Sequence, residues 1–360
     1  MDSNKREAKV MEFDIKMGVD SWKNTAAFAR EAEKAGVSGL LFTESGLTPW
    51  MMISAAAMAA PSLHYSTGIA VAFPRSPMVA AQIAWELAGE TKGKFRLGLG
   101  SQVKPHIVRR YGGTFEKPAA RMRDYVLAVK ASLAAFRGEA RLAHDGPFYK
   151  LDLLTPQWAP PRHDFEDVKV DMSAVNPLML KAAGEVSDGV HVHPMHSMHY
   201  IENRVIPAVS EGAAKAGKTL ADVDLIVPVL AVAGDTPEER EPLAREAKSA
   251  IGFYGSTPGY GFQFDDLGYG DLRPKLAERL RAQGRDGLIE LISDEMLDQF
   301  GLVARWDDMA DNLIARYRGV ASRVVMYLAK PSIEQNPKNL GKWGEIARAV
   351  RAAKLKAFRT

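Results

Sequence analysis

The chain has 360 residues, 46% hydrophobic and 25% charged, close to the averages of globular domains, so a large core can form and wholesale disorder is excluded. Lysine plus arginine exceed aspartate plus glutamate by only 47 − 44 = 3, and the basic residues are dispersed, which argues against a nucleic-acid partner. The absence of cysteine removes disulfides, thiolate metal sites and a cysteine nucleophile and is compatible with a cytoplasmic location; no segment reads as a membrane span or secretion signal.

Residues 1–10 are polar and read as a tail. Short strand-like runs then alternate with helix-period segments, the pattern of parallel βαβ construction. Glu12 to Val19 alternates apolar Phe13, Ile15, Met17 and Val19 with polar neighbours and predicts the first strand. Asn24 to Ala35 predicts a helix stopped by Gly36. Strands two, three and four are expected over Gly39 to Thr43, Tyr65 to Ala72 and Phe95 to Gly100, with helices over Pro49 to Ala60 and Pro77 to Ala88 between them. A long helix follows from about Ala119 to Phe136. From 138 to 167 the rhythm lapses into prolines and aromatics, which reads as an excursion over the barrel. Strands five, six and seven are expected over Val168 to Ala174, Gly189 to His193 and Asp224 to Ala233. A Gly- and Tyr-rich stretch opens a second excursion over 252–300. Asp307 to Arg318 leads into strand eight, Arg323 to Tyr327, and a basic helix is expected near the C-terminus, from Lys342 to Phe358. Eight strands suit one closed (β/α)8 barrel domain, a TIM barrel with insertions; an open doubly wound sheet is the alternative.

Two pattern matches fail on context. Gly212 to Thr219 satisfies the P-loop spacing, but a helix precedes it and a strand follows, the reverse of what phosphate cradling needs. Leu97-Gly98-Leu99-Gly100 has Val103 at the third glycine position of a dinucleotide fingerprint and opens no helix. His191 and His193 are two apart on a strand, the spacing of barrel metal ligands, yet no carboxylate or distant histidine completes such a set. Histidines so placed are more often hydrogen-bonded wall residues, and no metal site is expected. His193 closes its strand, the end where barrel active sites lie. At Ala174-Val175-Asn176-Pro177 a strand gives way to a helix opening on proline, whose unpaired N–H groups suit a phosphate; an ordinary turn capped by Asn176 is the alternative. Gly68, inside strand three, suggests a bulge or a close approach.

Taken in order, Glu44, TGIAVAFPRSP (67–77), KFRLGLGSQVKPHIVRRYGG (94–113), ARMRDYV (120–126) and SAVNPLMLKAAGEVSDGVHVHP (173–194) resemble the bacterial luciferase-like monooxygenase superfamily, most closely its coenzyme F420-dependent oxidoreductase branch. That resemblance implies a barrel, often dimeric, with F420 or, alternatively, FMN at the C-terminal face of the strands. It places an unusual cis peptide at Gly68-Ile69 behind the ring, lines the cofactor with Gly98, Gly100, Ser101 and Gln102, and gives the phosphate to Ala174, Val175 and Asn176, where relatives commonly have glycine at the last position. Some F420 enzymes carry a histidine after the acidic residue of strand two; here it is Ser45. The proton-transfer candidates are therefore Glu44, His106 and His193.

The expected chemistry is hydride transfer between the deazaflavin and a small apolar or conjugated organic substrate. Aromatics of the loops, Trp50 and Tyr254 first, with Tyr149, Trp158, Phe253 and Tyr260, would wall off that substrate. Lys104, His106, Arg109 and Arg110 would meet the anionic tail of F420, or form a solvated basic turn. An FMN monooxygenase fed reduced flavin by a partner enzyme, a metal-dependent barrel hydrolase and a non-catalytic cofactor-binding barrel are the other readings.

Overall fold

The structure is a computed structural model, and it describes residues 10–353. Eight parallel strands close on themselves: β1 (Glu12–Met17), β2 (Gly39–Phe42), β3 (His64–Thr67, resuming as Ala70–Val71), β4 (Phe95–Gly100), β5 (Lys169–Ser173), β6 (Gly189–His191), β7 (Asp224–Val229) and β8 (Arg323–Met326). Each pairs with its sequence neighbours, and β1 with β8 through Glu12↔Arg323 and Phe13↔Val324, so no barrel edge is left open. The eight-stranded barrel expected from the sequence is the observed fold, and the open sheet is excluded.

The alternation in β1 has an unusual cause. Phe13, Ile15 and Met17 are fully buried, and Phe13 packs on Trp343 of the C-terminal helix Asn339–Ala352, so the apolar face looks outward to the helices. The polar face fills the barrel. Asp14 pairs there with Arg323, while Arg96 grips Asp171 with two hydrogen bonds (2.7 and 2.8 Å) and Asp224 with a third (3.0 Å). Bidentate pairing of this kind is what makes buried charge tolerable. Side chains are omitted where these groups need room. A Cβ on Gly189 would lie 2.6 Å from Asp171 Oδ1, and one on Gly39 2.8 Å from Asp14 Oδ1.

Several boundaries differ from the expected ones. Strand three is interrupted at the cis Gly68-Ile69 peptide. Strand six ends at His191 rather than His193, and strand seven at Val229. The chain then leaves the barrel, and Ala231–Ala233 pairs in parallel with Leu302–Ala304, a strand too short to announce itself in the sequence. The C-terminal helix begins three residues before Lys342; residues 1–9 of the expected tail and 354–358 of that helix lie outside the described residues. The 138–167 excursion does not cover the barrel mouth. It holds a small antiparallel ribbon, His144–Asp145 with Lys150–Leu151, and packs outside the barrel: Asp124 accepts the Phe148 and Tyr149 N–H groups, and Trp85 Nε1 donates to the Pro161 carbonyl. The second excursion and the helix Pro237–Ser256 that leads into it share a second core, in which Leu243, Ile251, Phe264, Leu276, Leu288 and Phe300 are buried together. No helix of the described residues is long and apolar enough to cross a membrane.

Candidate active site

A cavity of about 650 Å³ opens at the C-terminal ends of the strands, within the size range of cofactor and small-molecule sites. Its floor is apolar: Leu41, Ile226 and Val325, one per strand, form a small buried cluster that Tyr327 covers.

One side of the cavity is backbone and turn. Gly68 and Ile69 contribute to the wall, and so do Ser101 and Gln102, the latter held at φ 58°, a left-handed conformation uncommon without glycine. The Gln102 side chain accepts the Val103 N–H (2.9 Å), which stabilises the sharp turn leaving β4. Gly98 and Gly100 are not on the wall. A Cβ at Gly98 would stand 2.0 Å from the Thr67 carbonyl and 2.5 Å from His191 Nε2, and one at Gly100 2.6 Å from Ser173 Oγ. These glycines make room for protein groups, so their expected direct contact with a cofactor is corrected to a spacing role.

Ala174, Val175 and Asn176 all line the cavity where β5 meets the helix Pro177–Val186. Asn176 is the N-cap residue but gives no side-chain cap, and Tyr200 fixes the turn by donating to the Val175 carbonyl (2.7 Å). Among the described residues, no acceptor meets the Val175 or Asn176 N–H, so both donors stand at the positive end of a helix. Lys104 and His106 are at the rim beside this side, with His106 opening the π-helical turn His106–Arg110. Arg109 and Arg110 are exposed and off the wall, and Arg110 is drawn to the Ser45 carbonyl.

The opposite side is aromatic. The second excursion brings Phe253, Tyr254 and Tyr260 over His193, whose ring stacks on Tyr260 (centroids 4.2 Å) and meets Tyr254 edge-on (4.5 Å). Burial pushes the His193 imidazole down to about 4, so it is neutral at physiological pH. Its Nδ1 lies 3.2 Å from both the N–H and the carbonyl of Met195. His191 also faces the cavity, its Nε2 enclosed and without a partner. His196 is buried elsewhere against Tyr317, with burial pushing it down to about 3, and among the described residues no group of three or more acidic, histidine or cysteine side chains could hold a metal.

Four expected site residues are placed away from the cavity. Glu44 is spent on structure: it accepts the Val71 N–H (2.7 Å) and two hydrogen bonds from Arg75 (2.8 and 2.6 Å), with its side chain 3% exposed. No oxygen is left to move a proton. Trp50 is buried under the Arg75 guanidinium (5.7 Å from the ring) and is corrected from substrate contact to support of that ion pair. Tyr149 accepts from Arg121 Nε (2.9 Å) outside the barrel, and Trp158 is exposed, so neither forms a wall.

Residues 6–323 match the family model described as luciferase-like monooxygenase. The chain belongs to this family. It is 34% identical over 293 residues to an uncharacterized protein of Mycobacterium tuberculosis, covering 81% of this chain and 86% of that one. It is 28% identical over 223 residues to an F420-dependent glucose-6-phosphate dehydrogenase of Kribbella flavida, covering 58% and 64%. The fold is shared with the coenzyme F420-dependent tetrahydromethanopterin reductase from Methanopyrus kandleri (TM-score 0.76, 17% identity, 94% and 98% covered). It is also shared with the FMN-bound oxygenating constituent of 3,6-diketocamphane monooxygenase from Pseudomonas putida (TM-score 0.67, 16% identity, 97% and 99% covered). Family membership makes the chain an oxidoreductase and sets the metal-dependent hydrolase and the non-catalytic barrel aside.

The residues present fit a deazaflavin or flavin of the kind used in this family. An apolar floor and a thin Gly68-Ile69 wall suit a flat ring, and the partnerless Val175 and Asn176 N–H groups suit a phosphate. Of the groups the structure adds, Leu41, Ile226 and Val325 were readable only as inward positions of strands. His191 was visible in the sequence, but as half of a ligand pair; the signal for it was its inward register beside a facing glycine.

Proposed function

We propose that the chain is an F420-dependent oxidoreductase that transfers hydride between the deazaflavin and a small, uncharged, apolar or conjugated organic substrate. The observation that carries this reading is the charge of the cavity wall: Lys104 is its one formally charged side chain among the described residues, and it lies on the phosphate side. The phosphate of F420 is a diester with a single charge, which two N–H donors, a helix N-terminus and one lysine can hold. The phosphate of FMN is a monoester approaching two charges, and burying it asks for more cationic partners than this wall offers.

When bound, the deazaflavin supplies the carbon that gives or takes hydride. Ile69 would back its ring, Val175 and Asn176 would hold its phosphate through their N–H groups, and Lys104 and His106 would meet its acidic tail. Phe253, Tyr254, Tyr260 and Tyr327 would enclose the substrate and exclude water. The FMN monooxygenase reading draws on the same turn and the same fold. Fluorescence titration with F420 and FMN separately decides between them. Tighter binding of F420 is expected; equal or tighter binding of FMN defeats the assignment and leaves the fold untouched.

A further inference from the structure

We propose that His191, through its cavity-facing Nδ1, is the group that exchanges the substrate's oxygen-bound proton during hydride transfer. The proposal rests on the deazaflavin reading above and adds the proton's carrier to it.

The placement is specific. His191 is the last residue of β6, paired in register with Ser173 on one side and Ile226 on the other, both of which line the cavity. Its ring occupies space that a side chain at Gly98 would fill, since a Cβ there would be 2.5 Å from Nε2. Beneath it stands a column of ions. Asp171 Oδ2 lies 3.8 Å from Nε2, and Arg96 holds both carboxylate oxygens of Asp171. A second glycine, Gly189, makes room for that pair, because its Cβ would be 2.6 Å from Asp171 Oδ1 and 2.9 Å from Arg96 Nη2. Two side chains are thus missing from β4 and β6, the strands that flank Asp171, where a histidine must stand on a clamped carboxylate.

The two ring nitrogens differ. Nε2 is enclosed and partnerless, with Asp171 as the nearest anion; Nδ1 is not enclosed and has no partner among the described residues. A proton on Nε2 has the Asp171 carboxylate as its nearest anion, at 3.8 Å, and the Nδ1 lone pair is then left for the cavity. The charged groups facing the ring are Asp171 of β5, Arg96 of β4 and Arg323 of β8; burial and the two arginines keep the imidazole neutral, to about 4, while Asp171 opposes them. The other candidates are engaged or misplaced. Both Glu44 oxygens are bonded, His193 has its Nδ1 on Met195 and its ring packed against Tyr254 and Tyr260 rather than standing on a carboxylate, and His106 stands in solvent at the rim.

In the oxidative direction, an alcohol O–H gives its proton to Nδ1 as the carbinol carbon passes hydride to the oxidised deazaflavin. A carbonyl, the reduced deazaflavin and an imidazolium beside Asp171 result; the reverse reaction returns the proton to oxygen and the hydride to carbon. Nothing else is consumed.

The test uses the full chain with 15N-labelled histidine, eight residues in all, with His191 assigned through His191→Gln. Expected are a neutral His191 with its proton on Nε2 from pH 5 to pH 8 and an Nδ1 resonance displaced by cyclohexanol in the sense of an accepted hydrogen bond. His191→Phe should bind cyclohexanol about tenfold more weakly, the cost of one lost hydrogen bond, while its affinity for F420, read by deazaflavin fluorescence, changes less than about twofold. A proton on Nδ1, no cyclohexanol binding, an unmoved Nδ1 resonance, or undiminished cyclohexanol affinity in His191→Phe would each overturn the proposal. Should that variant not fold, the resonances of the unaltered chain decide. Failure of the unaltered chain to bind F420 is a separate result: it removes the cofactor reading, and the histidine spectra still judge His191.

Discussion

Removing the Glu44 carboxylate separates a structural clamp from a proton donor. Glu44→Ala takes away one partner of a buried ion pair and leaves the Arg75 guanidinium, 17% exposed at the side chain, over the Trp50 ring with no anion. It also strips the acceptor from the Val71 N–H. Breaking a buried pair from one side costs about 3–5 kcal/mol, because the remaining charge is uncompensated. The stranded N–H falls within that figure, since effects at one site do not add. Such a loss is a large share of the roughly 5–15 kcal/mol that holds a domain together. Urea denaturation followed by Trp fluorescence measures it, and Trp50 reports locally. The double variant Glu44→Met/Arg75→Met should recover most of the stability, because it leaves neither charge behind. F420 affinity of the folded single variant should stay within about twofold, because Glu44 is off the cavity wall. The reasoning is refuted if Glu44→Ala unfolds within about 1 kcal/mol of the unaltered chain while hydride transfer disappears, for then the carboxylate would be acting on the reaction.

Asn176→Pro removes one of the two free N–H donors at a residue whose φ of −89° proline can approach, so the barrel should fold and F420 affinity should fall by roughly two- to tenfold, the worth of one hydrogen bond. Unchanged affinity in a fluorescence titration would place the phosphate elsewhere. Replacing Lys104, Arg109 and Arg110 together with Gln should weaken F420 more than its tail-less precursor at low salt and equally at high salt, with each contact contributing roughly 0–1 kcal/mol; equal effects at low salt reject the tail site. Acid should destabilise the fold below pH 6.5: burial pushes His191 and His193 down to about 4 and His196 to about 3, so between those values and 6.5 the unfolded chain binds more protons. Each histidine then costs about 2 kcal/mol at pH 5, roughly 6 kcal/mol for the three, while Glu246, raised by burial, works weakly in the opposite sense. Urea midpoints that stay level from pH 7.5 to pH 5 would refute the buried neutral state.

The barrel was legible because helix and strand periods alternate through most of the chain, β1 announcing itself by apolar residues two apart and strands such as Gly39–Phe42 and Arg323–Met326 by short apolar runs. The same signal hid which face looks inward. In β1 the apolar triplet Phe13, Ile15 and Met17 faces the helices, and the polar triplet fills the barrel. No local pattern could reveal this, because it depends on Arg323 and Arg96 arriving from distant strands to neutralise the acids. Glu44 misled for the same reason. An acid ending a barrel strand is placed where catalytic groups sit, and only the return of the chain at Arg75 commits it to an ion pair. Trp50 followed it, as the surface on which that arginine rests. The second excursion was legible as an aromatic loop. The first, equally rich in aromatics, was not separable from it by composition, and its position outside the barrel was decided by Asp124 and Trp85.

The lower barrel layer explains why the cavity above can be so sparsely charged. Arg96 and Arg323 between them engage Asp14, Asp171 and Asp224, so the ionic groups are consumed below the level of Leu41, Ile226 and Val325. Rigid clamping there costs space, which Gly39, Gly98 and Gly189 provide by having no Cβ. A larger residue at any of the three would push an ion pair or His191 upward into the volume left for ligands. The glycines of β4 therefore act on the site from behind its wall. Gly98 fixes the height at which His191 stands, and that height determines whether its Nδ1 can meet an oxygen on a substrate lying between the cofactor side and the aromatic side of the cavity.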